Sequence, residues 1–204
     1  MRREGETVRI RVKSKRGRPP VRRKPFDVEA VLRELAEGAA EHCGDMAMRI
    51  ARDGTWYYRG TPIRRPELVR LFATALYRAP DGRHWLLTPF ERIPVEVEDT
   101  PDEAVALERL GSGRDQRLLF RTRLGAEPVL GRDADWRLVR RGAALVPHLL
   151  LPRGLEARVA RSVYYQLADL ATTDGAGAET VLGVWSAGRF FPLEESEAKG
   201  ADGG

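Results

Sequence analysis

Cysteine, histidine and lysine are all scarce in this chain of 204 residues. Cys43 is the only cysteine, which excludes a disulfide within one chain and a zinc cage built from several thiolates. Beside His42 it reads as a small packing residue. His42, His84 and His148 stand far apart, none with a partner at metal-ligand spacing. No stretch approaches 18 consecutive apolar residues, so no transmembrane helix is expected. Arg2 and Arg3 are not followed by the apolar run of a secretory signal, and the expected location is the cytoplasm. Nucleophile-elbow, zincin, phosphate-loop and dinucleotide-binding patterns are missing as well. No catalytic residue, metal or cofactor is therefore expected.

What is present is the composition of a soluble globular protein, 42% hydrophobic and 32% charged, long enough to bury a core. The net charge of +5 hides an asymmetry. Residues 1–24 hold eleven Lys or Arg against Glu4 and Glu6, whereas the remaining 180 hold 24 basic against 28 acidic. The basic character belongs to the first segment and not to the body. Only Lys13, Lys15, Lys24 and Lys199 are lysine, an arginine preference so uniform that arginine count alone says little about phosphate binding.

Residues 1–25 read as a basic flexible arm, interrupted by Val8, Ile10 and Val12 at the period of a short strand. A helix is expected over 28–40, with Asp27 as N-cap, Phe26 stapled onto Val31, and Val28, Val31, Leu32 and Leu35 as its apolar stripe. Asp53-Gly54 then predicts a hairpin between 48–50 and 55–58. A second helix begins near Pro66, with Leu68, Leu71, Phe72, Ala75 and Leu76 on one face. Asp81-Gly82 marks a turn before a strand at 84–88, and Val95 and Val97 alternate with Glu96 and Glu98. Strands at 118–124, 136–139 and 148–151, a helix over 155–171 carrying Val159, Val163, Leu167 and Leu170, and strands at 180–186 and 189–193 follow. The expected fold is α+β, a duplicated strand-helix-strand core in two small domains at 26–110 and 111–193, with a disordered tail over 194–204.

Residues 48–101 carry Asp53-Gly54, Trp56, Gly60, Pro62-Ile63-Arg64, Leu68-Val69, Leu71-Phe72, Asp81-Gly82, Leu86, Thr88-Pro89, Glu91 and Val97-Glu98-Asp99 before Pro101. In this ordered set the chain resembles a bacterial family catalogued as domain of unknown function 1285. The resemblance runs from about residue 28 to 193, more weakly in the second half. It implies a duplicated α+β core whose second half is pleckstrin-homology-like. It also implies a site for an anionic, nucleotide-like small molecule between the domains, and a part in signal transduction. Asp102 departs from the family pattern, which has an aromatic after the equivalent of Pro101, and the basic arm lies outside it.

The candidate chemistry centres on Arg64 and Arg65 at the expected helix start, where free backbone N–H groups and an arginine fork favour an anion. Arg153 stands in a similar position before the helix expected over 155–171. Thr88, Glu91, Arg92 and Asp99 are placed to add polar contacts at adjoining strand ends. The first reading is a cytoplasmic, non-enzymatic ligand-binding or signalling module that takes an anionic small molecule in an interdomain cleft. The second rests on Lys15-Arg16-Gly17-Arg18-Pro19-Pro20, which is similar to the core of AT-hook peptides. There the glycine permits approach to the minor-groove floor, and the DNA contact lies within residues 1–24. An enzyme of unrecognised class is the third.

Overall fold

Two Asp-Gly pairs set corners of the first sheet. In the computed structural model of the chain, which describes residues 48–88, 92–175 and 180–194, Gly54 and Gly82 take positive φ of 84° and 85°, a region glycine enters without a Cβ penalty. Each aspartate closes its own turn: Asp53 Oδ1 accepts the Thr55 N–H at 2.9 Å, and Asp81 Oδ1 accepts the Arg83 N–H at 3.0 Å. The turns join β1 (Met48–Ile50) to β2 (Trp56–Tyr58), the hairpin the sequence predicts, and β4 (Leu76–Arg78) to β5 (His84–Leu87), where the sequence predicts the turn and β5 but reads Leu76 as helical. With β3 (Thr61–Pro62) and β6 (Arg92–Val97) these strands form a six-stranded sheet of order β3-β2-β1-β6-β5-β4. β1 and β6 run parallel and the other neighbours antiparallel. The arm over 1–25 with Lys15, Arg16, Gly17 and Arg18, the helix over 28–40, Cys43, Glu91 and the tail beyond Glu194 lie outside the described residues.

Helix α1 (Pro66–Ala75) links β3 to β4 and starts on Pro66, whose missing N–H costs nothing in the first turn. The face it buries coincides only in part with the one expected. Val69, Phe72 and Ala73 pack on the sheet, with Phe72 stacked on Trp56 at 6.4 Å between ring centroids, while Leu68 and Leu71 are 36% and 62% exposed. Of the stripe expected through 68, 71, 72, 75 and 76, Phe72, Ala75 and Leu76 meet the core, while Leu68 and Leu71 give way to Val69 and Ala73. The position of Trp56 on the sheet sets this rotation of the buried face, a choice that periodicity cannot make.

Beyond Pro101 the chain builds a second α+β unit. Strands β7 (Asp102–Leu110), β8 (Arg117–Thr122), β9 (Asp135–Arg141), β10 (Ala144–Leu150) and β11 (Glu156–Val159) form a five-stranded sheet of order β8-β7-β11-β10-β9. β7 precedes the 110/111 boundary expected from sequence and pairs with β8 and β11. Helix α2 (Arg161–Asp169) leads to a three-stranded sheet of β12 (Thr172–Asp174), β13 (Val181–Ser186) and β14 (Arg189–Pro192). The helix expected from 155 thus begins six residues later. Glu156–Val159 alternates with Ala157 and Val159 inward, so period two governs until Ala160 and period 3.6 only afterwards, when Val163 and Leu167 enter the same core. The order strand-helix-strand recurs in both halves, as β3-α1-β4 and β11-α2-β12.

The second core joins both of its sheets. Leu118, Phe120, Trp136, Leu149, Val184 and Phe191 pack together with α2, each large apolar side chain contributing about 1.5–3 kcal/mol by burial. Buried Ser186 pins β13 to the larger sheet: its hydroxyl accepts the Leu118 N–H at 3.0 Å and donates to the Leu130 carbonyl at 2.7 Å.

Candidate ligand cleft between the domains

Where the two units meet, a cavity of about 400 Å³ opens between α1 and the second domain, within the size range of small-molecule sites. Arg70, Ala73 and Thr74 face it from α1, three positions spaced i, i+3 and i+4 and therefore on one side of the helix. Opposite them stand Leu124 and Pro128, after β8, and Leu155, before β11. Leu124 and Leu155 also pack on the apolar cluster of the first domain, so the cleft wall and the domain contact are built from the same side chains.

Arg153 closes one end. It occupies the 3-10 turn Pro152–Gly154 with φ of 62°, a left-handed conformation costly for a residue with a Cβ. Its guanidinium donates to the Thr74 carbonyl, and to that of Ala73 at 3.4 Å. Both carbonyls belong to the last turn of α1 and carry the negative end of the helix dipole; that of Ala73 also accepts the Leu76 N–H. Gly154 is required next to it: a Cβ there would sit 3.0 Å from the Arg78 carbonyl, so the turn is pressed against β4. Arg70, by contrast, makes no hydrogen bond or ion pair among the described residues. The cleft thus offers one engaged and one disengaged guanidinium beside apolar walls.

Two carboxyls complete the lining. Asp102 is buried, accepts the N–H groups of Glu103 at 2.8 Å and Leu124 at 3.1 Å, and has its carboxyl pushed above the ordinary aspartate range by burial. Asp133 is held below that range by hydrogen bonds from Arg132 and from the Val129 N–H. No cluster of three or more His, Cys, Asp or Glu suited to a metal occurs among the described residues.

A second polar arrangement lies on the face of the five-stranded sheet turned toward the first domain. Asp99, with its side chain 4% exposed, accepts from Arg158 at 2.8 Å and from Arg141. Arg158 also reaches Glu103 at 2.6 Å, which pairs in turn with Arg123. Arg123 donates to the Asp53 carbonyl at 3.1 Å, carrying the chain of charges back to the first domain. Nearby, His148 is 2% exposed with Nδ1 at 3.0 Å from Glu156, which also takes Arg137 and, at 3.6 Å, Arg78 from β4. Burial holds the His148 imidazole below its usual value despite the Glu156 hydrogen bond.

Of the residues singled out from sequence, Arg153 lines the cleft. Arg64 and Arg65 are exposed at the opposite end of α1 and do not line it; ten helical residues separate the two ends by about 15 Å. Thr88 follows β5, and Arg92 lies over the Trp85 ring at 4.9 Å. Asp99 sits in the charge chain just described. The residues that sequence reasoning missed are Arg70, Asp102 and the apolar wall. Arg70 reads as the solvated side of a helix, and only the docking of the second domain turns that side into a cleft.

The folded body matches family models over most of its length. Residues 37–100 match "Domain of unknown function (DUF1285), N-terminal domain", and residues 101–193 match "Protein of unknown function (DUF1285), C-terminal domain". A crystal structure of a DUF1285 family protein from Silicibacter pomeroyi DSS-3 is similar with TM-score 0.69 and 42% identity, covering 76% of this chain and 82% of that one. Another, of a DUF1285 family protein from Shewanella baltica OS155, has TM-score 0.48 and 29% identity over 58% of this chain and 87% of that one. No curated protein matches. With 37–193 accounted for by its two models and the fold shared with a solved member, the chain belongs to the DUF1285 family.

Proposed function

We propose that the protein binds a small organic anion in the interdomain cleft and acts as a ligand-sensing module. The observation that carries this reading is the pairing of Arg70, without a partner among the described residues, and Arg153, held by backbone carbonyls, on one apolar cavity of about 400 Å³. A phosphate or carboxylate is a stronger acceptor for a guanidinium than a neutral carbonyl, because the bond is charge-assisted. A bound anion therefore draws Arg153 away from the end of α1, and ligand occupancy acts on the helix that bridges the two domains. The apolar walls suit a ligand with a flat or compact body behind its charge, such as a nucleotide. We place this activity in the cytoplasm; no described helix is long and apolar enough to cross a membrane.

A thermal-shift panel of nucleotides and phosphorylated metabolites tests the reading. A true ligand at 100 times its Kd adds about 2.7 kcal/mol, roughly 5–10 °C for a protein of this size. Arg70→Gln and Arg153→Gln are expected to suppress the shift, and Arg64→Gln with Arg65→Gln to leave it in place. A ligand whose shift survives both cleft variants binds elsewhere, and the proposal fails.

A further inference from the structure

A second cavity, larger than the cleft and sharing no residue with it, lies at the far end of the five-stranded sheet. Its origin is topological. β10 spans Ala144–Leu150, but β11 pairs only with His148, Leu149 and Leu150 before the chain turns into α2. The first residues of β10 therefore keep β9 on one side and have no strand on the other. The space left where β11 runs out is a groove of about 830 Å³, lined by residues 143–146, Val159, Tyr164, Tyr165 and Leu193.

The polar groups of this groove are few and mostly of one sign. Arg158 and Glu103 at its base are already paired with each other. Arg161, at the first position of α2, is exposed and has no carboxylate within ion-pair distance among the described residues. Its guanidinium is steered over the groove by Tyr165, donating to the phenol oxygen at 3.0 Å and lying 5.6 Å from the ring centroid. Tyr165 is itself 53% exposed, a large ring held at the lip rather than in the core. An aliphatic and aromatic trough with one uncompensated cation at its rim has the make-up of a site for an amphipathic anion.

We infer that this groove binds a free long-chain carboxylate, its alkyl tail against Leu145, Val146, Val159 and Leu193 and its carboxylate on Arg161. Beyond the two phenols, the mutually paired Arg158 and Glu103 and the open backbone edge of β10, the lining is apolar, so the tail and the charge on Arg161 define the ligand.

Calorimetric titration of the full chain with octanoate, decanoate and dodecanoate, each below its micellar concentration, tests this. The expected result is one saturable site that tightens along the series, by up to roughly four-fold per buried methylene. Dodecanol binds more weakly than dodecanoate. Arg161→Gln weakens dodecanoate by on the order of ten-fold or more, Arg161→Lys recovers part of the loss, and Arg64→Gln, at an exposed arginine outside both cavities, changes nothing. Ala144→Trp, which fills the trough, blocks binding; because it alters packing, the exposed Arg161 variants decide between the outcomes if that protein does not fold. Absence of saturable binding, equal affinity of wild type and Arg161→Gln, loss of binding in Arg64→Gln, or binding only to anionic phosphatidylglycerol vesicles overturns the inference.

Discussion

Replacing Asp99 by Ala tests whether the charge chain between the domains holds them together. Its carboxylate is 4% exposed and receives Arg158, 26% exposed, and Arg141, 46% exposed. Removing one partner of a fully buried pair costs about 3–5 kcal/mol, mostly through the charge left behind. Here Arg158 retains Glu103 and Arg141 reaches water, so the cost falls to about 2–3 kcal/mol. A cycle with Arg158→Ala isolates the direct coupling, expected at about 1–2 kcal/mol and so well outside additivity. Urea unfolding gives the free energies, and differential scanning calorimetry shows whether the domains still unfold together. We expect one transition in the wild type and, in Asp99→Ala, a broadened or split one, because the link from the end of β6 to β9 and β11 is cut. A loss below about 0.5 kcal/mol, or an additive double variant, refutes the view that this pair couples the domains and reduces it to a surface contact.

Two other outcomes follow from the geometry. Burial depresses both His148 and His84 in the folded state, so the unfolded chain takes up protons first as pH falls below the ordinary imidazole value of 6.5. Stability is then fully present above that value and is lost as pH falls toward the lower folded value. Urea midpoints should drop between pH 7.5 and 5.5, and the double variant His84→Gln, His148→Gln should flatten the drop; an equal slope in the variant rejects the assignment. Gly183→Ala on β13 would place a Cβ 2.4 Å from the Phe191 carbonyl and 2.6 Å from the Phe190 ring, an overpacking expected to cost about 1–3 kcal/mol; an unchanged melting temperature would show that β13 and β14 separate at no cost.

The elements that sequence reveals are those set by local chemistry. Asp53-Gly54 and Asp81-Gly82 announce their turns because only the turn residues decide them, and Pro66 announces α1 for the same reason. β7 is different. Asp102–Leu110 has apolar residues at 104, 105, 106, 107 and 110, matching neither clean alternation nor a clean helical stripe, and a bulge between Ala104 and Ala106 breaks its period. Its strand state comes from β8 and β11 on either side, which are close in space and far in sequence. The same holds for the cleft: Arg153 is visible as a basic residue before an apolar run, but its partners Ala73 and Thr74 lie about 80 residues earlier.

That long separation bears on how a cleft ligand would be felt. Arg153 sits on a left-handed turn, and its guanidinium donates to the Thr74 and Ala73 carbonyls at the end of α1, the second of which it shares with the Leu76 N–H. Gly154 fixes the same turn against β4, the strand that α1 enters. Any anion that competes for Arg153 must either leave those carbonyls to water or let the end of α1 move. The cost of that rearrangement, set against the charge-assisted bond gained, is the coupling free energy between the site and the domain contact. Arg70 carries no such linkage, since nothing in α1 depends on its guanidinium. Of the two arginines, Arg70 therefore contributes affinity alone, while Arg153 makes affinity depend on how the domains are docked.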